Sequence, residues 1–266
     1  MKNSRIERAA GFLVEEHAAK RRFGPIPSAF APESMQEAYA VQDAFVALKA
    51  GACGRRSGWK IALTTPQMQR MVGVGTPIAG AMHGAQLLRS PARVSVVAYG
   101  RLIVEFEICV ELGNDIPPSA RPYTSEEVAD AITAVMPALE LADDRNADYA
   151  TIATRGLDII ADNAWNEGAV LGAPIRDWRA LDLAALRGIA MINGQIVGEG
   201  SGSDAMGHPL NVVAWIANNL AARGKTLEKG DFIITGSLVT SKFPAAGDRI
   251  HFDAGALGAV SLDIEN

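Results

Sequence analysis

Cysteine is scarce: 266 residues hold only Cys53 and Cys109, with no Cys-x-x-Cys spacing. Neither a disulfide framework nor a zinc site of paired cysteines is therefore expected. No uninterrupted apolar run is long enough to span a bilayer. The first residues, MKNSRIERAAGFLVEEHAAKRR, alternate charge with apolar side chains and lack a signal-peptide core. No block of Lys and Arg interrupts a net charge of −5, which argues against nucleic acid or anionic membrane as partners. Internal repeats are absent. Gly198–Ser203 is rich in glycine but lacks the Lys-Ser/Thr ending and the βαβ setting of a nucleotide loop, so it reads as a connector bordering a cleft. A soluble, cytoplasmic protein is the expectation.

What is present is an ordinary globular balance, 48% apolar and 21% charged, long enough to bury a core unaided. Residues 4–21 predict an amphipathic helix with Ile6, Ala10, Leu13 and His17 on one stripe, His17 as a surface or interface residue. A second helix is predicted over 34–49, stopped by Gly51. These make a helical section over 1–55 that packs on a β-rich unit over 56–266. Trp59, Ile61 and Leu63 alternate as in a strand, and Thr65-Pro66 opens a short helix. Thr124 and Glu127 form a capping box for a helix carrying Val128, Ile132 and Val135 that stops before Pro137. Strands are expected at 138–142, at 159–164 ending in a polar loop, and at 169–171. Asn193-Gly194 marks a hairpin turn, and Pro209 suits the first turn of a helix with His208 at or near its N-cap. Phe232–Thr235 and short antiparallel strands complete a β-rich α+β fold.

The stretch with most chemistry is Val104–Leu112, which alternates with period 2. Phe106, Ile108 and Val110 face one way; Glu105, Glu107, Cys109 and Glu111 face the other. Alternate side chains along a strand lie only about 6.5–7 Å apart, so like charges are stacked with no Lys or Arg between them. A divalent cation would reverse that repulsion, and all-oxygen donors suit Mg²⁺ or Mn²⁺. An amphipathic strand with a wet face is the plainer reading.

Two further residues bear on this. Glu140 sits inside the apolar stretch Ala138–Ala142, where an ionised carboxylate must be paired or bound to metal. A salt bridge to Arg145 and a third ligand beside Glu105 and Glu107 are both open. Lys60 shares a strand face with Ala62 and Thr64. It is either snorkelling to solvent or held at the mouth of a polar cleft, where it could neutralise an anion or move a proton. Asp162-Asn163 reads most simply as an Asx-turn.

Gly58–Thr64, the Glu105-x-Glu107 strand, Met136–Glu140, Ala161–Ala164, Gly207–Asn211 and Gly230–Gly236 resemble, in order and spacing, the 2-keto-4-pentenoate hydratase and 4-oxalocrotonate decarboxylase group of the fumarylacetoacetate hydrolase superfamily. The resemblance runs from the second helix to the C-terminus. It implies a mixed β-sandwich roll with an N-terminal helical part, and Mg²⁺ or Mn²⁺ on Glu105, Glu107 and Glu140. It also places Lys60 in the active site and implies a homo-oligomer, with association with a pathway partner enzyme as a further option. Thr64, Ile78, Asp162, Asn163 and Ser237 become candidate substrate contacts. One departure stands out: many members carry Pro-Asp-aromatic-Gly where this chain has Pro77-Ile78-Ala79-Gly80, and Ile78 transfers no proton.

A small 2-oxo acid offers a carboxylate and a ketone oxygen to such a cation, which stabilises the charge of an enolate. The expected reaction is ketonisation of a 2-hydroxydienoate and addition of water to give a 4-hydroxy-2-oxo acid. Decarboxylation of a 2-oxo-3-enedioate uses the same enolate. Acylpyruvate hydrolysis would want a His–Glu pair, and no motif marks one near His17. A binding protein without activity is the reading from a different class. Trp59, Met68, Met71, Ile78 and Trp165 are candidates for an apolar pocket.

Overall fold

The computed structural model describes residues 2–266, with side chains from Arg5 onward. The elements in order are α1 (Lys2–Ala18), α2 (Met35–Cys53), β1 (Arg56–Ala62), α3 (Pro66–Val72), β2 (Ile78–His83), β3 (Leu87–Arg89) and β4 (Ala92–Ser95). They continue with β5 (Leu102–Leu112), α4 (Ser125–Ala129), β6 (Ile132–Asp143), α5 (Gly156–Ala161), β7 (Asn166–Leu171), β8 (Arg187–Ile192) and β9 (Gln195–Ser201). The chain closes with α6 (Pro209–Ala221), β10 (Phe232–Ile234), β11 (Val239–Lys242), β12 (Arg249–Asp253) and β13 (Ala259–Glu265).

The strands form two mixed sheets, as expected of a β-rich α+β fold. The larger runs β2-β1-β10-β5-β6-β7-β3, with β11 also paired to β5; the smaller runs β4-β13-β12-β8-β9. Parallel pairs occur at β1/β10, β3/β7 and β4/β13. Each joins strands distant in sequence, so no βαβ unit is needed. The main core lies where the larger sheet faces the smaller one. Phe106, Ile108, Val110, Leu139 and Leu141 pack there with Ile250, Phe252, Val260 and Leu262, and with Val213 and Ile216 of α6. Phe106 meets Phe252 edge-on at 5.6 Å. Alternation then commits the other side chains of β5 to the opposite face of the sheet.

Local signals place most helix starts. Thr65 caps α3 and Gly73 ends it in the left-handed region. Thr124 and Glu127 form the expected capping box, and His208 caps α6 through its side chain. The hairpin at Asn193-Gly194 joins β8 and β9. Among the described residues, no helix is long and apolar enough to cross a membrane.

Several expectations need correction. Helix α2 passes Gly51 and ends at Gly54; Gly51 faces open space, where the missing side chain costs only propensity. The helix after Thr124 stops at Ala129, and Ile132 and Val135 belong to β6. Pairing with β5 from Leu102/Asp143 to Leu112/Ile132 outweighs the local helical spacing. Pro137 is inside that strand, its carbonyl accepting the Gly172 N–H. Ile159 and Ile160 lie in α5 rather than a strand, because a short apolar run has no period that separates the two. Gly198–Ser203 is no loose connector: it forms the end of β9 and a 3-10 turn. A Cβ on Gly200 would lie 1.8 Å from the Leu238 carbonyl oxygen, so the glycine is there to let β9 touch the 238–239 backbone.

Candidate metal centre and cleft

The register of β5 on β6 builds the site. Glu105 lies directly across from Glu140, and Glu107 across from Ala138. All three carboxylates therefore share the face turned away from the main core. Oxygens from the three lie within 4.8 Å of one another, a spacing that one ion with oxygen distances of about 2.0–2.6 Å can span. Strand β10 ends at Ile234, and the chain then leaves the sheet so that the Gly236 N–H donates to Glu107 Oε2 at 2.7 Å.

Lys60 comes from β1, on the far side of β10, and its Nζ meets Glu140 Oε1 at 2.9 Å. Asn166 Nδ2 donates to the same oxygen at 2.9 Å, and the Ser241 hydroxyl donates to Glu105 Oε1. Glu107 and Glu140 are fully buried and Lys60 is 3% exposed. The salt bridge to Arg145 weighed for Glu140 does not form: Arg145 pairs with Asp162, and Lys60 takes its place. Nor is Lys60 at the mouth of the cleft. It stands at the base.

Electrostatics leave the cluster short of positive charge. Three carboxylates and one ammonium sum to −2 when all are ionised. Burial, then the Glu140 and Glu105 carboxylates, push Glu107 well above the usual carboxylate range. Burial also raises Glu140, to about 7, against the pull of Lys60. Burial works to discharge Lys60, but the carboxylates of Glu140, Glu105 and Glu107 overcome it and raise its pKa, so the amine stays an ammonium. Two oxygens, Glu107 Oε1 and Glu140 Oε2, are buried with no hydrogen-bond partner. Among the buried side-chain atoms of the described residues that lack a partner, these are the two that belong to carboxylates, and leaving a buried carboxylate oxygen unpaired is costly. The donor set is all oxygen, its spacing suits one ion, and a divalent cation would cancel its charge. The residues fit Mg²⁺ or Mn²⁺.

A cavity of about 540 Å³ opens from this point, with Lys60, Thr64, Glu105 and Ser237 at its polar end and Met68, Met71 and Trp165 among its apolar walls. The Ser237 hydroxyl is occupied by backbone, accepting from the Phe106 N–H and donating to the Val239 carbonyl. The other candidate substrate contacts do not line the cavity. Ile78 is fully buried among Leu63, Val72, Ile159 and Ala164. Asn163 clips its side chain to both backbone groups of Ala81. Asp162, fully buried, pairs with Arg145 and with His17 Nε2 instead of making an Asx-turn. Trp59 is also elsewhere, against the Arg56 guanidinium.

His17, read as a surface or interface residue, takes the interface option, joining α1 to the 162–167 segment. Its Nε2 meets Asp162 at 2.5 Å and its Nδ1 meets Glu167 at 3.0 Å. Burial opposes its charge, yet the two carboxylates pull its pKa up to about 9. Both ring nitrogens then act as donors, which leaves no lone pair to activate water. It borders a separate cavity of about 400 Å³ with Lys49 and Glu167 rather than the cleft. Asn166, Ser241 and the Gly236 N–H, which orient the carboxylates, were not expected. None belongs to a periodic pattern, and only the turn-forming Gly236-Ser237 pair marks one of them in the sequence.

Residues 46–265 match the family model described as fumarylacetoacetate (FAA) hydrolase C-terminal. The chain belongs to this family. FAA hydrolase relatives include a 2-keto-4-pentenoate hydratase of Paraburkholderia xenovorans (strain LB400), 30% identical over 98% of this chain and 95% of the relative. A 2-oxo-hept-4-ene-1,7-dioate hydratase of Escherichia coli is 34% identical over 86% of each. Among solved structures of the family, 4-oxalocrotonate decarboxylase from Pseudomonas putida G7, complexed with magnesium and adipate, superposes with a TM-score of 0.89 at 27% identity. It covers 99% of this chain and 98% of its own.

Proposed function

We propose that this FAA hydrolase family member is a divalent-metal-dependent hydratase, a lyase that adds water to a 2-hydroxydienoate to give a 4-hydroxy-2-oxo acid. The observation that carries the reading is the Glu105–Glu107–Glu140 cluster, in which the fully buried Glu107 and Glu140 each leave one oxygen unpartnered, set beside Lys60 at the polar end of a largely apolar cleft. Relatives named as hydratases over most of the chain support hydration.

Glu105, Glu107 and Glu140 would hold Mg²⁺ or Mn²⁺, which as a Lewis acid stabilises negative charge growing on a ketone oxygen. In the first step the dienol loses its O–H proton while C5 gains one, leaving a 2-oxo-3-enoate. In the second, water oxygen bonds to C4 and a proton is delivered to C3. Lys60, kept as an ammonium by Glu140, donates: it orients the substrate carboxylate or supplies a proton, and is unsuited to be the base. The apolar walls keep bulk water off the enolate.

Decarboxylation of a 2-oxo-3-enedioate is the second reading, favoured by the likeness to the P. putida decarboxylase. Incubating the purified, metal-loaded protein with each substrate separates the two: water addition without CO₂ release is expected, and CO₂ release reverses the assignment. Glu107→Gln should abolish turnover with the fold intact; unchanged activity sinks the mechanism. The same proposal includes assembly into a homo-oligomer, read out by light scattering, and a cytoplasmic location, read out by fractionation. It also keeps residues 1–55 as a helical section on the 56–266 unit, supported by Val41 and Phe45 of α2 packing in one cluster with Ala161.

A further inference from the structure

Residues 162–167 join α5 to β7, and two of them serve the site: Trp165 lines the cleft, and Asn166 Nδ2 donates to Glu140 Oε1 at 2.9 Å. Their backbone is costly to hold. Asn163 (φ 54°), Ala164 (φ 50°) and Trp165 (φ 61°) are three consecutive left-handed residues, a conformation that crowds Cβ against the following carbonyl. The ladder then slips at the start of β7. Asn166 pairs with Ala142 and Gly168 with Leu141, so Glu167 is left out as a bulge. A bulge re-aims the side chains around it, and here Asn166 is turned to the face that carries Glu140.

Such a turn persists only where its surroundings over-determine it. In the middle, the Asn163 side chain is clipped to Ala81. At the two ends one side chain serves both: His17 of α1 meets Asp162 through Nε2 at 2.5 Å and Glu167 through Nδ1 at 3.0 Å. A neutral imidazole has one N–H and can donate to only one of these carboxylates, whereas an imidazolium donates to both. The side chain is 13% exposed, and the Phe45 ring of α2 packs on it at 4.9 Å. Arg145 holds the other Asp162 oxygen, and Lys49 and Gln86 complete Glu167. The remaining charged groups around the same cavity do not compete for the ring: Asp143 accepts three backbone N–H groups, and Lys20 donates to the Val97 carbonyl.

We propose that His17 is a positioning residue of the metal centre: by bridging Asp162 and Glu167 it fixes the 162–167 turn, and the turn holds Asn166 on one Glu140 oxygen so that the other is left for the ion. His17 thus acts on the centre without bordering the cleft. The proposal deepens the hydratase reading and rests on its metal centre.

The test is Mg²⁺ binding to the metal-stripped full chain at neutral pH by calorimetry, which needs no turnover. Removing a group that orients a metal ligand costs about 10–100-fold in affinity, so Asn166→Ala should weaken Mg²⁺ binding by that factor. His17→Gln, whose amide donates from one end only, should weaken it by about threefold or more. Because His17 acts through Asn166, the double variant should bind Mg²⁺ no more weakly than Asn166→Ala alone. Glu167→Ala frees the second end of the turn and should repeat both results, which covers the case in which His17→Gln does not fold. Phe12→Ala removes the edge-on contact with Phe30 at 6.0 Å, elsewhere on α1, and should leave the affinity within about twofold of wild type because it spares the turn. Wild-type affinity in His17→Gln or, where that variant does not fold, in Glu167→Ala overturns the proposal. So do losses that add in the double variant, or a loss in Phe12→Ala equal to that in His17→Gln, which would reduce the effect to loosening of the helix. In each of these cases wild type still binds Mg²⁺ and the hydratase reading stands. If wild type binds no Mg²⁺ at millimolar concentration, that reading falls and takes this one with it.

Discussion

Adding Mg²⁺ to metal-stripped protein should raise its melting temperature, and Glu107→Gln should remove the rise. The structure sets both the sign and the scale. Glu105, Glu107 and Glu140 place oxygens within 4.8 Å of one another, and two of those oxygens are buried without partners. An ion that binds the folded arrangement and not the dispersed side chains of the unfolded chain stabilises by mass action, about 2.7 kcal/mol at a hundredfold excess over Kd. For a protein of this size each kcal/mol is worth roughly 2–4 °C, so the shift should be on the order of 5–10 °C. In the variant, the amide oxygen can still accept the Gly236 N–H, while a carboxyl whose ionisation burial and two neighbouring carboxylates oppose is gone. The metal-free variant should therefore melt no lower than the metal-free wild type, even though it no longer responds to Mg²⁺. Thermal melts followed by circular dichroism, after chelation and dialysis, measure all four states. An equal Mg²⁺ shift in wild type and variant, or none in wild type at millimolar Mg²⁺, would refute the shared-ion argument.

Three other perturbations probe the supports of the site. A Cβ at Gly80 would lie 2.6 Å from the Asn163 carbonyl oxygen and 3.1 Å from Lys60 Cγ. Gly80→Ala should thus cost about 1–3 kcal/mol through overpacking and lower turnover at least tenfold by shifting Lys60, measured by melts and kinetics; wild-type values for both would show that the strand and turn can part freely. His17 has a folded pKa raised to about 9 from an ordinary 6.5. Its stabilisation is therefore complete below about pH 6.5 and lost as pH rises through 9, and is on the order of 3 kcal/mol at most. The stability gap between wild type and His17→Gln, from urea melts across that window, should shrink with rising pH; a constant gap would mean that the ion pair is not its source. Phe106→Ala empties the contact with Phe252 between the two sheets. It should cost about 3–5 kcal/mol, and a loss below 1 kcal/mol in urea melts would place the main core elsewhere.

Much of this protein could be read from short-range pattern. The period-2 run Val104–Leu112 showed both the strand and which side chains share a face, and Glu140 in an apolar stretch demanded a partner of opposite charge. Capping residues such as Thr65, Thr124 and His208 act within three residues, so their effects are visible locally. The misreadings arose where distant partners decided the outcome. Residues 132–136 are compatible with either period, and only β5 made them a strand. His17 looks like an ordinary helix residue until Asp162 and Glu167 are brought to its ring. Ile78, Asp162 and Asn163 sit in motifs that resemble those of the family, yet in this fold they hold the wall rather than line it.

The sequence by itself determined that Glu105 and Glu107 project from one strand on the same side, since alternation is a property of the extended backbone alone. It also determined that a buried Glu140 required compensation, since desolvation penalises a lone charge in any fold. Only the tertiary structure decided that Glu140 lies across from Glu105, that Lys60 reaches it past the end of β10, and which side chains line the cleft. Register, strand order and cavity lining depend on contacts between residues far apart in the chain, and no local pattern encodes which distant partner will arrive.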